Sequence, residues 1–275
     1  MRFSRFNVGK ELSRGAGDFG YGRFEGFTVG LRRSAEAAHF ANELQGRGGN
    51  LVRRGGRFGT SQYFDTPTHR RDYYATVAEH LHRPDKTPEF GVALTHGAGA
   101  GCETPLLIAV AEALCKAGAL VLRYDLPFRL KKRPPLPATA GEDRAGIREA
   151  AARVRDMTNG PVVIAGHSYG GRQGSMLAAE DADVGAALLL LSYPLHPPGK
   201  PEKMRTEHFP SLKVPALFVS GERDEFGTQD EMKTALKLIP AKTRLIEIPK
   251  AGHDLKKGKF DLADVASAVQ EMLGL

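Results

Sequence analysis

The chain has 275 residues, 39 Lys and Arg against 32 Asp and Glu for a net charge of +7, and 41% hydrophobic beside 26% charged residues. These are the proportions of a globular protein with room for one α/β domain or two small ones. Gly, Pro or charge interrupts every apolar run well short of the ~18 residues a membrane span needs, and Cys102 and Cys115 have neither C-x-x-C spacing nor a His at metal-ligand spacing, so a spanning helix, a disulfide framework and a zinc site are not expected.

No apolar stretch of secretory-signal length follows Arg2 and Arg5, and a cytoplasmic location is expected. Residues 1 to 72 hold 13 Lys and Arg against 7 Asp and Glu, a charge of +6, leaving 26 against 25, or +1, for the rest. The basicity belongs to this tail, and no nucleic-acid partner is expected. The tail also takes 13 of the 32 glycines and 8 of the 14 phenylalanines, without sustained period 2 or 3.6. Such a segment does not build its own core. It is expected to be mostly disordered, with one short helix around Ser34 to Leu44, and dispensable.

From Tyr73 onward the texture changes. Tyr74 to His82 alternates weakly, as an outer strand does. The short apolar runs Phe90 to Thr95, Ala119 to Arg123, Pro161 to Ala165, Ala186 to Leu191, Val214 to Val219 and Thr243 to Ile248 suit parallel strands buried on both faces. Helical patterns separate them at Pro105 to Ala117, Glu142 to Met157, Gly170 to Ala179, Gln229 to Ile239 and Leu262 to Leu273. The alternation predicts a mostly parallel, doubly wound α/β sheet flanked by helices in a domain over residues 73 to 275. Only 22 residues, Ser192 to Lys213, separate the fifth and sixth apolar runs, and their prolines favour an extended loop over a helical cap.

Four features lie on the predicted strand ends. Gly166-His167-Ser168-Tyr169-Gly170 is G-x-S-x-G between strand and helix, the context in which a sharp turn exposes a serine hydroxyl at a helix N-terminus. His96-Gly97-Ala98-Gly99-Ala100-Gly101 follows a strand, and its glycines let backbone N–H groups approach a substrate oxygen. The N–H groups of Ala98 and Tyr169 are the expected oxyanion donors. A phosphate loop fits poorly here, with no G-K-[ST] and with Cys102 where G-x-G-x-x-G requires glycine.

Glu222, Asp224 and Glu225 follow the sixth run, and Asp224 is the acid that the turn at Gly221 brings back over the sheet. His253 follows the seventh. Serine needs a neutral imidazole to take its proton, and the imidazole needs a carboxylate to orient it, in the chain order Ser, Asp, His that hydrolases of this topology use. Pocket candidates are His96, Asp125, Arg172, Tyr193 and His196. The competing reading of Arg172 is an ion pair with Asp125, and that of Tyr193 and His196 is loop packing.

Residues 73 to 275 resemble the α/β-hydrolases related to testis-expressed protein 30 and to a chromatin-associated NSL-complex subunit, with dienelactone hydrolases as more distant relatives. The resemblance rests on His96 to Gly101, Arg123 to Phe128, Gly166 to Arg172, Tyr193 to Lys200 and Arg223 to Gly227. It implies the α/β-hydrolase fold and a triad of Ser168, Asp224 and His253, and no definite substrate.

The reading that follows is a cofactor-free, metal-free hydrolase of a small carboxylic ester or related acyl compound, acting through an acyl-enzyme at a site without a lid. Thioesterase and peptidase chemistry would use the same residues. The alternative is a catalytically weak scaffold of the same fold that binds a protein partner.

Overall fold

The computed structural model describes residues 78–131, 134–256 and 261–275. The expectations for residues 1 to 72, and for the first part of the outer strand, lie outside these. Seven strands, β1 Glu79–His82, β2 Phe90–Thr95, β3 Ala119–Tyr124, β4 Val162–His167, β5 Ala187–Leu191, β6 Ala216–Gly221 and β7 Thr243–Ile248, form one sheet in the order β1-β3-β2-β4-β5-β6-β7. β1 runs antiparallel to β3, and every other neighbouring pair is parallel. Five helices are described: α1 Pro105–Lys116, α2 Ala140–Met157, α3 Tyr169–Glu180, α4 Gln229–Leu236 and α5 Leu262–Leu273.

The unbroken apolar runs are explained by two-sided burial. Along β5, Leu188 and Leu190 join the core made with α2, α3 and α4, while Ala187, Leu189 and Leu191 join the one made with α1 and α5. Successive side chains alternate faces, so a strand covered by helices on both sides needs apolar residues at every position.

Some boundaries differ from the sequence expectation for local reasons. β6 begins at Ala216, not Val214, since Pro215 has no N–H to give the ladder. α4 ends at Leu236 instead of Ile239. Lys237, Leu238 and Ile239 there bond back to Thr234, Ala235 and Leu236, the tighter i−3 pattern, ahead of Pro240.

Strand order positions the site. β3 lies on one side of β2 and β4 on the other, with Thr95 of β2 beside Gly166 of β4. The chain therefore leaves the ends of β2 and β4 in opposite directions. Ligands of open α/β sheets bind at such a reversal. No helix among the described residues is long and apolar enough to cross a membrane. Between β5 and β6 the connection is not the extended loop expected: it folds through tight turns at Pro197–Lys200 and Lys200–Lys203 and a 3₁₀ turn at Phe209–Ser211, and its Tyr193, Leu195, Phe209 and Leu212 are buried against the α2–α4 face. It packs down onto the core, and no cap is built from it.

Candidate active site

Ser168 lies between β4 and α3 with φ 50 and ψ −116, a left-handed backbone that only a well-determined surrounding holds in a non-glycine residue. The turn closes because its flanks lack side chains. A Cβ on Gly166 would sit 2.5 Å from the Gly171 nitrogen, and one on Gly170 would sit 2.5 Å from the His96 carbonyl oxygen. The Ser168 N–H donates to the Leu191 carbonyl at 2.8 Å, fastening the turn to β5.

Two further loops bring their side chains to this hydroxyl. After β6, Asp224 is folded back, with its N–H on the Gly221 carbonyl at 3.2 Å. Its carboxylate is buried and accepts the Phe226 N–H at 2.9 Å. Gly221 lies against the loop after β7, where a Cβ would stand 2.5 Å from the carbonyl oxygens of Ala251 and Gly252. This contact sets the gap between Asp224 and His253. Both Asp224 carboxylate oxygens lie 2.9 Å from His253 Nδ1, and His253 Nε2 lies 2.8 Å from Ser168 Oγ. With a carboxylate at Nδ1 the proton resides there, leaving Nε2 to accept from the serine hydroxyl. Glu222 and Glu225, the competing acids, are exposed.

Ala98 and Tyr169 flank the same serine. A Cβ on Gly97 would stand 3.2 Å from Ser168 Cβ, so the turn carrying Ala98 lies beside Ser168. Tyr169 is the first residue of α3, where a helix leaves its N–H groups unpaired. Its side chain is locked by the buried carboxylate of Asp143, which accepts the phenol at 2.7 Å and the Phe128 N–H at 3.0 Å. Burial, then that bond, raises the Tyr169 phenol far above its ordinary range, so it stays neutral.

The pocket candidates are placed differently from the expectation. His96 is fully buried; its Nδ1 donates to the Gly97 carbonyl at 2.7 Å and its Nε2 accepts the Leu126 N–H at 2.9 Å. Burial lowers its pKa, and it is a neutral brace of the loop with no nitrogen left for substrate. Asp125 accepts the Cys102 N–H at 2.7 Å and lies 3.9 Å from Arg129 Nε, so it organises the loop after β2. Arg172 makes no ion pair with it, contrary to the competing reading. Arg172 is the fourth residue of α3, and its charge acts on Tyr169, Tyr193, Arg205 and His208. Tyr193 is buried, with its phenol donating to the Arg205 carbonyl at 2.6 Å. His196 is buried too, its ring nitrogens 2.9 Å from the Pro197 carbonyl and 3.3 Å from Glu231. Both are braces of the β5–β6 connection and not pocket walls.

Sequence reasoning passed over two neighbours of His253. His167, the residue before Ser168, donates from Nε2 to the His253 carbonyl at 3.0 Å, and burial lowers its pKa. Phe226 stacks on the His253 ring with centroids 4.1 Å apart. The first stands inside the G-x-S-x-G motif, whose pattern leaves its identity open, and nothing in the local pattern marks the second. Among the described residues no group of three or more His, Cys, Asp or Glu side chains is placed to hold a metal ion.

A family profile described as an alpha/beta hydrolase domain matches residues 88–274. The fold is similar to that of the dienelactone hydrolase from Anabaena variabilis ATCC 29413, at 24% identity and a TM-score of 0.56 over 71% of this chain and 90% of that one. It is similar also to Est1E from Butyrivibrio proteoclasticus with ferulic acid bound, at 21% identity and a TM-score of 0.57 over 71% and 93%. A third likeness is to XC6422 from Xanthomonas campestris, described as an α/β serine hydrolase without lid, at 20% identity and a TM-score of 0.54 over 72% and 87%.

Proposed function

The chain belongs to the alpha/beta hydrolase family, and from that membership we propose that it is a serine hydrolase of small carboxylic esters or related acyl compounds. The observation that carries this reading is the unbroken hydrogen-bonded series from Ser168 Oγ through His253 to the buried Asp224 carboxylate. Ser168 attacks the acyl carbon as His253 Nε2 takes the hydroxyl proton, and Asp224 stabilises the resulting imidazolium. The N–H groups of Ala98 and Tyr169 face the developing oxyanion, aided by the positive end of α3. His253 returns its proton to the leaving alcohol, and water deacylates the serine by the same steps. Neither metal nor organic cofactor enters this scheme.

Within the family, Tyr193 to Lys200 and Arg223 to Gly227 support a place beside the relatives of testis-expressed protein 30 and the NSL-complex subunit. The working enzyme is taken to be residues 73 to 275, acting in the cytoplasm, and a chain starting at residue 73 is expected to keep its turnover.

Labelling with a fluorophosphonate probe, with peptide mapping, tests the nucleophile. One adduct on Ser168, together with hydrolysis of p-nitrophenyl acetate, is the expected result. A folded protein that neither labels nor hydrolyses would leave the protein-binding scaffold in its place.

A further inference from the structure

Arg172 is the fourth residue of α3, one turn beyond Ser168, and its N–H bonds the Ser168 carbonyl at 2.9 Å. Helical side chains lean toward the N-terminus. Arg172 therefore leans over the turn that carries the nucleophile, on the face toward the β5–β6 connection. Its Nε is buried without a hydrogen-bond partner.

Against this stretch of α3 lies a pinned segment of the β5–β6 connection, and it carries a second arginine, Arg205. The Arg205 carbonyl accepts the buried Tyr193 phenol at 2.6 Å, and its N–H donates to the Leu195 carbonyl at 2.7 Å. Nearby, His208 Nε2 lies 2.8 Å from Ser175 Oγ, whose own proton goes to the Arg172 carbonyl at 2.9 Å. The hydroxyl is thus an acceptor for His208, which burial and then the Arg172 charge depress to about 4, so it adds no charge at neutral pH. Burial first, and the Arg172 charge second, also lower the Arg205 pKa. The ion pairs found among the described residues include neither arginine. Glu207, the acid that acts on this group, is exposed and takes no part in one. Two like charges held together at a partly desolvated place are costly until an anion joins them.

We infer that Arg172 and Arg205 form an anion subsite beside Ser168, and that the preferred substrates are short esters carrying a carboxylate. This rests on the hydrolase reading above. Arg172 is four residues, about 6 Å of helical rise, from the nucleophile along the axis, which suits a carboxylate two to four carbons or so from the scissile carbonyl.

The test compares monoethyl glutarate with its neutral amide, ethyl 4-carbamoylbutanoate, and measures binding of free glutarate by calorimetry. Wild-type kcat/KM is expected to favour the acid at least about tenfold at low salt, the worth of a charge-assisted bond. That ratio should fall toward one in Arg172→Gln and Arg205→Gln and be partly kept in Arg172→Lys. A ratio near one in wild type, or one that survives both glutamine variants, overturns the subsite. Glutarate binding that folded Arg172→Gln loses supports it independently of turnover; no binding by folded wild type refutes it. Tighter binding of inorganic phosphate than of glutarate would overturn the carboxylate assignment. Failure of Ser168 to label would instead sink the hydrolase reading, while labelled protein indifferent to glutarate sinks the subsite alone.

Discussion

The turn around Ser168 and the connection between β5 and β6 are built on opposite plans. At the turn, strain is held in place by contacts that admit no side chain, as the positive φ of Ser168 and the close approaches at Gly166 and Gly170 show. The connection takes its order from distant partners: Phe209 packs on Tyr193 and Phe218, His208 on Ser175, and His196 on Glu231. A strained turn is organised for reactivity, whereas an aromatic anchor is organised for stability. Substitutions in the two places should therefore separate the two properties.

The largest expected effect is on turnover at the turn. Ser168→Ala should lower kcat by roughly 10⁶ and Asp224→Asn by roughly 10⁴, the scale at which members of such a unit act. Retention of more than about a tenth of wild-type kcat in clean Ser168→Ala protein would remove the nucleophile assignment. Ser168→Gly is the sharper probe: it should be as inactive, yet more stable by about 1 kcal/mol in denaturant unfolding, since glycine carries φ 50 without strain.

The connection should answer in the opposite currency. Phe209 is completely buried between Tyr193 and Phe218, and Phe209→Ala should cost about 3–5 kcal/mol of stability, measured by urea unfolding. A loss below about 1 kcal/mol would mean that the connection is not anchored as described.

The same contrast explains how far the sequence could be read. The sheet was legible because two-sided burial writes itself as apolar runs, and the turn was legible because crowding demands glycine at fixed offsets from Ser168. Asp224 was separable from Glu222 and Glu225 through the turn at Gly221. Phe226 on His253, the Tyr193 bond to Arg205 and the His208 bond to Ser175 were not legible, because each joins residues whose proximity depends on the folded path and not on spacing. His96 shows the reverse error. Its place in the glycine loop reads as a pocket position, yet the N–H of Leu126, 30 residues away, occupies its only free nitrogen.

Acid should reach the two regions together. Burial lowers the pKa of His96 and His167 near the turn, and of His208 in the connection to about 4 from the ordinary 6.5. Between those values the unfolded chain binds more protons than the folded one, so this stability is fully present above about pH 6.5 and is lost as pH falls toward about 4. The urea midpoint should drop between about pH 7 and pH 5, and His208→Gln should flatten the slope. An unchanged midpoint over that interval would show that these rings are hydrated.

The smallest expected effect is the response to acyl chain length, and it tests whether the connection covers the site. A wall that buried a growing acyl chain would return about 0.8 kcal/mol for each methylene, close to a fourfold rise in kcat/KM per carbon. Here the residues that would have to build such a wall are spent elsewhere: Tyr193, Leu195, Phe209 and Leu212 are all at most 1% exposed and belong to the core beneath the sheet's α2–α4 face. The rest of the segment is folded into tight turns, with the Lys200 N–H on the Pro197 carbonyl and the Lys203 N–H on the Lys200 carbonyl, both at 3.0 Å, and the side chain that leans toward Ser168 from this side is the charged Arg172. Across p-nitrophenyl esters of two to twelve carbons or so, kcat/KM should be highest at roughly two to four carbons, without the per-methylene gain a buried chain supplies. A steady fourfold climb past about eight carbons would show that a hydrophobic surface outside the described residues closes over the substrate.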